Sequence, residues 1–278
     1  MRRVYTATAP RGPELFRAAR TSVLAFGVFI ALLSVTTSGT LHAEPEASST
    51  PGTPDAKEIL GRMDAAISGF ADQEMDVDLT IIDVDGSRKT YGMLARQKGT
   101  DKRLIRFTSG EIKGMSTLIA SRERMYAYLP GFKKVRRISA HNMNQSFAGS
   151  DFTNDDMAVA TWGTVYDVVL ESEDAESWTL KGTPKPGVSV GYAFVRLRVM
   201  KVGGYQQRVD YFNKDGVMVK QLSCEGLKDF AGGVKRYSLI VMRDPRTGHR
   251  TEMHVKTFLV DQGLKDADFS KRQLRWGR

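Results

Sequence analysis

Glu74-Met75-Asp76-Val77-Asp78-Leu79-Thr80-Ile81 alternates apolar residues at odd positions with polar ones at even positions. Successive side chains of a strand point to opposite faces, so this segment reads as a strand with one face buried and the other in water. Asp85-Gly86 follows as a hairpin turn. Beyond it the alternation returns. Tyr91, Met93 and Ala95 stand against Thr90, Gly92 and Arg96, then Ile105 and Phe107 against Arg106 and Thr108. Residues 115–120 and 124–129 read as two more strands, the second stopped by Pro130-Gly131. Further strands are expected at 164–169, 177–181, 192–202, 206–213, 217–222, 234–243 and 249–260. Pro184-Lys185-Pro186-Gly187 is a loop, and Lys214-Asp215-Gly216 and Arg246-Thr247-Gly248 are turns. The pattern predicts a mainly β (α+β) fold in which about ten or eleven short antiparallel strands form a barrel or a strongly curved sheet.

Upstream the period is that of a helix. Pro54-Asp55-Ala56-Lys57-Glu58 opens it, and Ile59, Leu60, Met63, Ala66, Ile67 and Phe70 make its apolar face. Between about 139 and 163 the strand period breaks. Thr153 or Asn154 can cap a short helix there, with Asp155 and Asp156 in its first turn.

The chain has 278 residues, 41 Lys+Arg and 32 Asp+Glu, a formal charge of +9. Such a balance invites a nucleic-acid or membrane-surface reading. Much of it is local. Residues 1–20 carry Arg2, Arg3, Arg11, Arg17 and Arg20 against Glu14, the eleven residues 23–33 are apolar, and Leu41-His42-Ala43 precede Glu44. A basic start, a short apolar run and a small residue before the cut describe a secretory signal peptide, cleaved near Ala43. The run is shorter than the ~20 residues that span a bilayer. Without residues 1–43 the charge is +5, and the argument for nucleic acid is lost. Residues 44–54, rich in Ser, Thr, Pro, Ala and Glu, read as a flexible tether before a single domain over 55–278.

Catalytic and metal-binding constellations are not evident. A P-loop, a dinucleotide glycine turn and a Gly-x-Ser-x-Gly elbow are all missing. Cys224 is the single cysteine and reads as a small core or turn residue after a strand. His249 and His254 fall on opposite faces of one strand. Asp151, Asp155 and Asp156 could form a cation site, but capping explains the last two better. No metal, cofactor or enzymatic activity is expected. Lys133, Lys134, Arg136 and Arg137 form the densest basic cluster, suited to anionic head groups, to an acidic partner or simply to a solvated strand face.

Two segments are distinctive: Tyr126-Ala127-Tyr128-Leu129-Pro130-Gly131-Phe132-Lys133-Lys134-Val135-Arg136-Arg137-Ile138, and Ser146-Phe147-Ala148-Gly149-Ser150-Asp151-Phe152-Thr153-Asn154-Asp155-Asp156-Met157. With Ile112-Lys113-Gly114-Met115, and with Leu264, Asp268-Phe269-Ser270-Lys271-Arg272 and Leu274, they resemble the outer-membrane lipoprotein-sorting protein family, the LolA-like group. Gly149, Ser150, Asp151 and Phe152 are the family-motif residues. The resemblance implies an incomplete antiparallel β-barrel whose apolar concave face is covered by a long N-terminal helix and a helical insertion. It implies a monomeric periplasmic carrier that binds acyl chains of lipoproteins or lipids. Its partners would be an inner-membrane transporter and an outer-membrane acceptor. The best-known carriers of this fold are shorter and lack the Leu-Pro…Arg-Arg and Gly-Ser-Asp-Phe segments. In them a buried arginine locks the lid, and no single position of this sequence matches it. A non-enzymatic adaptor or sensor that partners a membrane transporter is the alternative reading.

Shared parity and helical spacing assign a lipid groove to Met75, Val77, Leu79, Ile81, Tyr91, Met93, Ile105 and Phe107, under Met63 and Ile67 of the helix. Replacing Leu79 or Ile105 with Asp is expected to abolish lipid co-purification. A folded variant with its lipid intact would count against this lining.

Overall fold

In the computed structural model the described residues are 52–276. The signal segment expected at 1–43 and most of the tether expected at 44–54 lie outside them. The strands are β1 (Asp72–Ile82), β2 (Arg88–Lys98), β3 (Lys102–Phe107), β4 (Ser116–Ser121), β5 (Arg124–Leu129), β6 (Lys134–Ile138) and β7 (Tyr166–Glu173). They continue with β8 (Ser177–Pro184), β9 (Phe194–Met200), β10 (Gln206–Phe212), β11 (Met218–Asp229), β12 (Lys235–Arg243) and β13 (Arg250–Val260). The helices are α1 (Ala56–Ser68), α2 (Asn154–Ala158) and α3 (Lys271–Trp276). No helix among the described residues is long and apolar enough to cross a membrane.

The thirteen strands form one sheet in the order β6-β5-β4-β3-β2-β1-β13-β12-β11-β10-β9-β8-β7. It consists of two consecutive meanders, each neighbour antiparallel to the next, joined where β1 pairs with β13. The fold is the open, incomplete barrel expected, with more than the ten or eleven strands read from the sequence. β6 hides its period, because Lys134, Arg136 and Arg137 give it three exposed positions in a run of five residues.

One face of the sheet carries the main core. Val77, Leu79 and Ile81 of β1 face it, as do Met93 of β2, Ile105 and Phe107 of β3 and Leu222 of β11. Helix α1 lies against this face and buries Ala56, Ile59, Leu60 and Met63. These positions, i, i+3, i+4 and i+7, form one helical stripe. Each such buried side chain contributes about 1.5–3 kcal/mol. Gly204 in the β9–β10 turn has φ +66°, and a Cβ there would meet the Arg62 backbone of α1 at 3.1 Å. Only glycine gives both the left-handed turn and this approach to the helix.

The insertion between β6 and β7 completes the cover. Ala148 and Gly149 are both left-handed (φ 55° and 79°), which folds the loop back so that Phe147 is buried. The Phe147 ring lies 5.8 Å from that of Phe107. Thr153 caps α2: its hydroxyl accepts from Asp156 N (3.1 Å) while Thr153 N donates to Asp156 Oδ2 (2.8 Å).

The other face carries a second, smaller apolar cluster. There Leu104 and Leu118 pack with Phe269 and Leu274 of the C-terminal segment. The segment is clasped to β1 by buried Asp72, whose carboxylate accepts from Gln262 N (2.8 Å) and Leu264 N (2.9 Å). Ser116 Oγ donates to Leu274 O (2.7 Å). Asp72→Ala should cost about 1–3 kcal/mol of stability in urea unfolding, since two backbone donors, at exposed Gln262 and half-buried Leu264, lose a charged acceptor. Amide exchange should accelerate first in residues 262–276, and unchanged exchange and stability would show that Asp72 does not hold the segment.

Candidate functional site

A cavity of about 260 Å³ lies between the concave sheet face and its cover, and a lobe of about 80 Å³ adjoins it. Both are lined by Met75, Met157, Ile240, Met253 and Val255, which stand where the two adjoin. Ala66 and Ile67 of α1 roof the larger part, with Phe152, Val159, Ala160 and Trp162 of the insertion. Its floor is the second meander and β1.

Five of the ten groove positions expected from the sequence reach this space: Ile67, Met75, Val77, Met93 and Ile105. The other five do not. Met63, Leu79, Ile81, Tyr91 and Phe107 are on the right face but sit in close-packed core. Phe147 and the folded insertion fill the barrel at that end, and Tyr91 stacks edge-on with Phe107. Asp at Leu79 therefore tests folding, and only Ile105 tests the cavity wall.

Most of the larger cavity was missed by the sequence reading. It is built from Tyr166, Tyr192, Tyr211, Leu222, Cys224 and Tyr237, which come from the second meander and from the loop before β9. Tyr192 and Tyr211 lie 4.6 Å apart, and Trp162 lies 5.6 Å from Tyr166. Burial raises the hydroxyl pKa of Tyr166, Tyr192 and Tyr211, and the charge of Asp156 adds to the effect at all three. The parity of Leu222 with Cys224, and of Ile240 with Met242, was the available signal. Cys224 lies within β11, not after a strand as expected, and burial pushes its thiol up to about 12.

The cover is held by polar ties. Asp64 on α1 accepts from Trp162 N (2.7 Å) and Gly163 N (2.9 Å), and Ser68 Oγ donates to Ala160 O (3.0 Å). Burial raises the Asp64 pKa against the lowering effect of those two backbone donors. The family-motif residues act here. Ser150 Oγ donates to Phe147 O (2.6 Å), and Asp151 pins the loop to β13: Thr251 Oγ1 donates to its Oδ2 (2.7 Å), and His249 Nδ1 lies 2.7 Å from its Oδ1. Gly149 makes the turn, and Phe152 enters the cavity wall.

Asp155 and Asp156 point to different partners. Arg122 pairs with Asp155 and also donates to Ser189 O (2.8 Å). Burial raises the Asp155 pKa, opposed by Arg122. Asp156 accepts from the Tyr192 hydroxyl (2.9 Å) and Lys220 Nζ (3.2 Å) as well as capping α2.

Two arginines reach the cover from the sheet. Arg103 of β3 donates through Nε to Gln97 Oε1 (2.7 Å) and through NH1 to Met157 O (2.8 Å). Arg236 of β12 donates to Ala66 O and Ile67 O at the end of α1, and to Gln73 Oε1 (3.2 Å). Its guanidinium lies over Phe258 (4.6 Å) and Phe70 (5.4 Å). Desolvation lowers both guanidinium pKa values to about 10.

The basic cluster is elsewhere. Lys133, Lys134, Arg136 and Arg137 are exposed on or beside β6, the free edge of the sheet, next to Phe132, which is 69% exposed.

This open barrel with a covered apolar interior is the fold of the LolA superfamily. A DUF1329 family protein from Desulfovibrio piger matches with TM-score 0.73 and 26% identity, covering 80% of this chain and 100% of that one. A domain described as an outer membrane lipoprotein-sorting protein, from Vibrio parahaemolyticus, matches with TM-score 0.67 and 21% identity over 80% of this chain and 97% of its own. A LolA superfamily protein from Nitrosomonas europaea gives 0.67 and 21%, over 80% and 100%. A family model described as "Uncharacterized protein" matches residues 99–276, and the chain belongs to that family. No curated protein matches the chain.

Cys224 reports on the cavity. At pH 8 its alkylation by iodoacetamide should be more than about 100-fold slower in the native protein than in urea, because the thiolate is the reacting form. Equal rates in the two states would contradict the half-buried placement of the thiol against the cavity.

Proposed function

We propose that the protein is a periplasmic carrier that binds the acyl chains of lipoproteins or lipids and moves them toward the outer membrane. The observation that supports this most directly is the covered cavity of about 260 Å³, walled by methionines, aliphatic side chains and aromatic rings. Burying an acyl chain there contributes about 0.8 kcal/mol per methylene. Methionines adapt to chains of different shape. Three of them, Met75, Met157 and Met253, sit where the two lobes meet.

The cover packs on the core through Leu60, Met63, Phe152 and Trp162 and is also fastened by exchangeable hydrogen bonds, which suits a lid that opens. The reading is of a binding protein and not an enzyme. Asp151, Asp155 and Asp156, where catalytic carboxylates would be sought, are each engaged by capping or by a basic or hydroxyl partner. The amino-terminal sequence supports export, and the carrier would act as a monomer between an inner-membrane transporter and an outer-membrane acceptor.

A second reading, an adaptor or sensor for a membrane transporter, draws on the exposed basic edge at β6 and Phe132. One experiment separates the two. Solvent extraction and mass spectrometry of the purified protein should recover stoichiometric lipid, and Met75→Trp, which fills the junction of the lobes, should remove most of it without unfolding the chain. Absence of lipid, together with loss of transporter capture when Lys133, Lys134, Arg136 and Arg137 become Ala, would instead favour the adaptor.

A further inference from the structure

The cavity contains an unbalanced electrostatic feature. Gln73 of β1 and Gln97 of β2 are directly opposite each other in the strand register. Arg236 binds the first and Arg103 the second, and all four side chains line the larger cavity. The result is a polar row, Arg236-Gln73-Gln97-Arg103, across the cavity wall beside the C-terminal end of α1.

Neither arginine has a carboxylate partner among the described residues. Their acceptors are neutral: three backbone carbonyls of the cover and the two glutamine amides. Arg236 Nε is buried with no acceptor at all. The two acids that reach the cavity are committed elsewhere, Asp155 to Arg122 and Asp156 to Lys220 and Tyr192. Carbonyls at a helix end and the faces of Phe70 and Phe258 offset part of the buried charge. They do not neutralise it, and a buried cation without a counter-ion is costly. If fastening the cover were the only task, a neutral amide donor could do it. A fixed charge on each side of the glutamine pair is what an anion requires.

We infer that the ligand is a single-chain amphiphile with an anionic head, its carboxylate or phosphate held between Arg103 and Arg236 and its acyl chain running into the apolar lobes. This inference rests on the acyl-binding reading above and specifies its ligand class. Both guanidiniums remain charged at neutral pH despite desolvation. Because they also hold Ala66, Ile67 and Met157, an arriving anion competes directly with the cover for the same donors.

The test is competition against a neutral fluorescent probe, N-phenyl-1-naphthylamine, by dodecanoate, dodecyl phosphate and dodecanol, which share one chain. At least one anion should displace the probe with an apparent Kd about tenfold or more below that of dodecanol, and the tighter of the two identifies the head. Equal potency of all three overturns the inference and leaves the acyl-carrier reading standing. Failure of all three to displace a bound probe overturns both. Arg103→Gln with Arg236→Gln should bring the ratio of anion to alcohol affinity close to one, and an unchanged ratio would remove these arginines as the head-group site. Should the double variant not fold, the wild-type ratio decides the matter.

Discussion

The pairing of β1 with β13 holds the molecule together. Each meander closes its own neighbours by hairpins, but only this ladder, from Gln73–Val260 to Ile82–Arg250, makes them one sheet. It is also irregular where it matters. Asp76 pairs with Thr257 and Val77 with Val255, so Lys256 is left over and reaches Asp76 (3.1 Å) and Asp78 (2.9 Å) on the solvated face. The extra residue shifts the parity of β13, so that Val255 and Phe258 both serve the cavity.

An open sheet with an apolar concave face cannot remain bare in water. Here the face is covered partly by side chains that pack and partly by elements that are tied down. At the β2–β3 end Phe147 plugs the barrel and leaves no room. Elsewhere the cover lies over the cavity, and polar ties at Asp64, Ser68, Arg103 and Arg236 add to its packing. Hydrogen bonds to the cover can be exchanged for bonds to a ligand or to water, whereas packed core cannot. Space and adjustable fastening therefore coincide.

The strand alternation from Glu74 to Phe107, the helical stripe of α1 and the Thr153 cap were legible in the chain, because each depends on contacts a few residues apart. The same alternation chose the core face for Leu79, Ile81, Tyr91 and Phe107, and the helical stripe did so for Met63. It could not tell packed core from cavity wall, because that depends on where Phe147 folds back, and Phe147 is remote from all of them in sequence. The Asp151 clasp on Thr251 and His249 was equally hidden, since about 100 residues separate the partners. Arg103 and Arg236 looked like any other strand charges.

The sequence by itself determined a curved antiparallel sheet, an amphipathic covering helix and a capped insertion. Local period and turn chemistry suffice for these. Tertiary structure alone decided that the interior is hollow at one end and packed at the other, and that two guanidiniums line that hollow with no acid among the described residues paired to either. Both facts arise from side chains brought together across the sheet, which no spacing along the chain records.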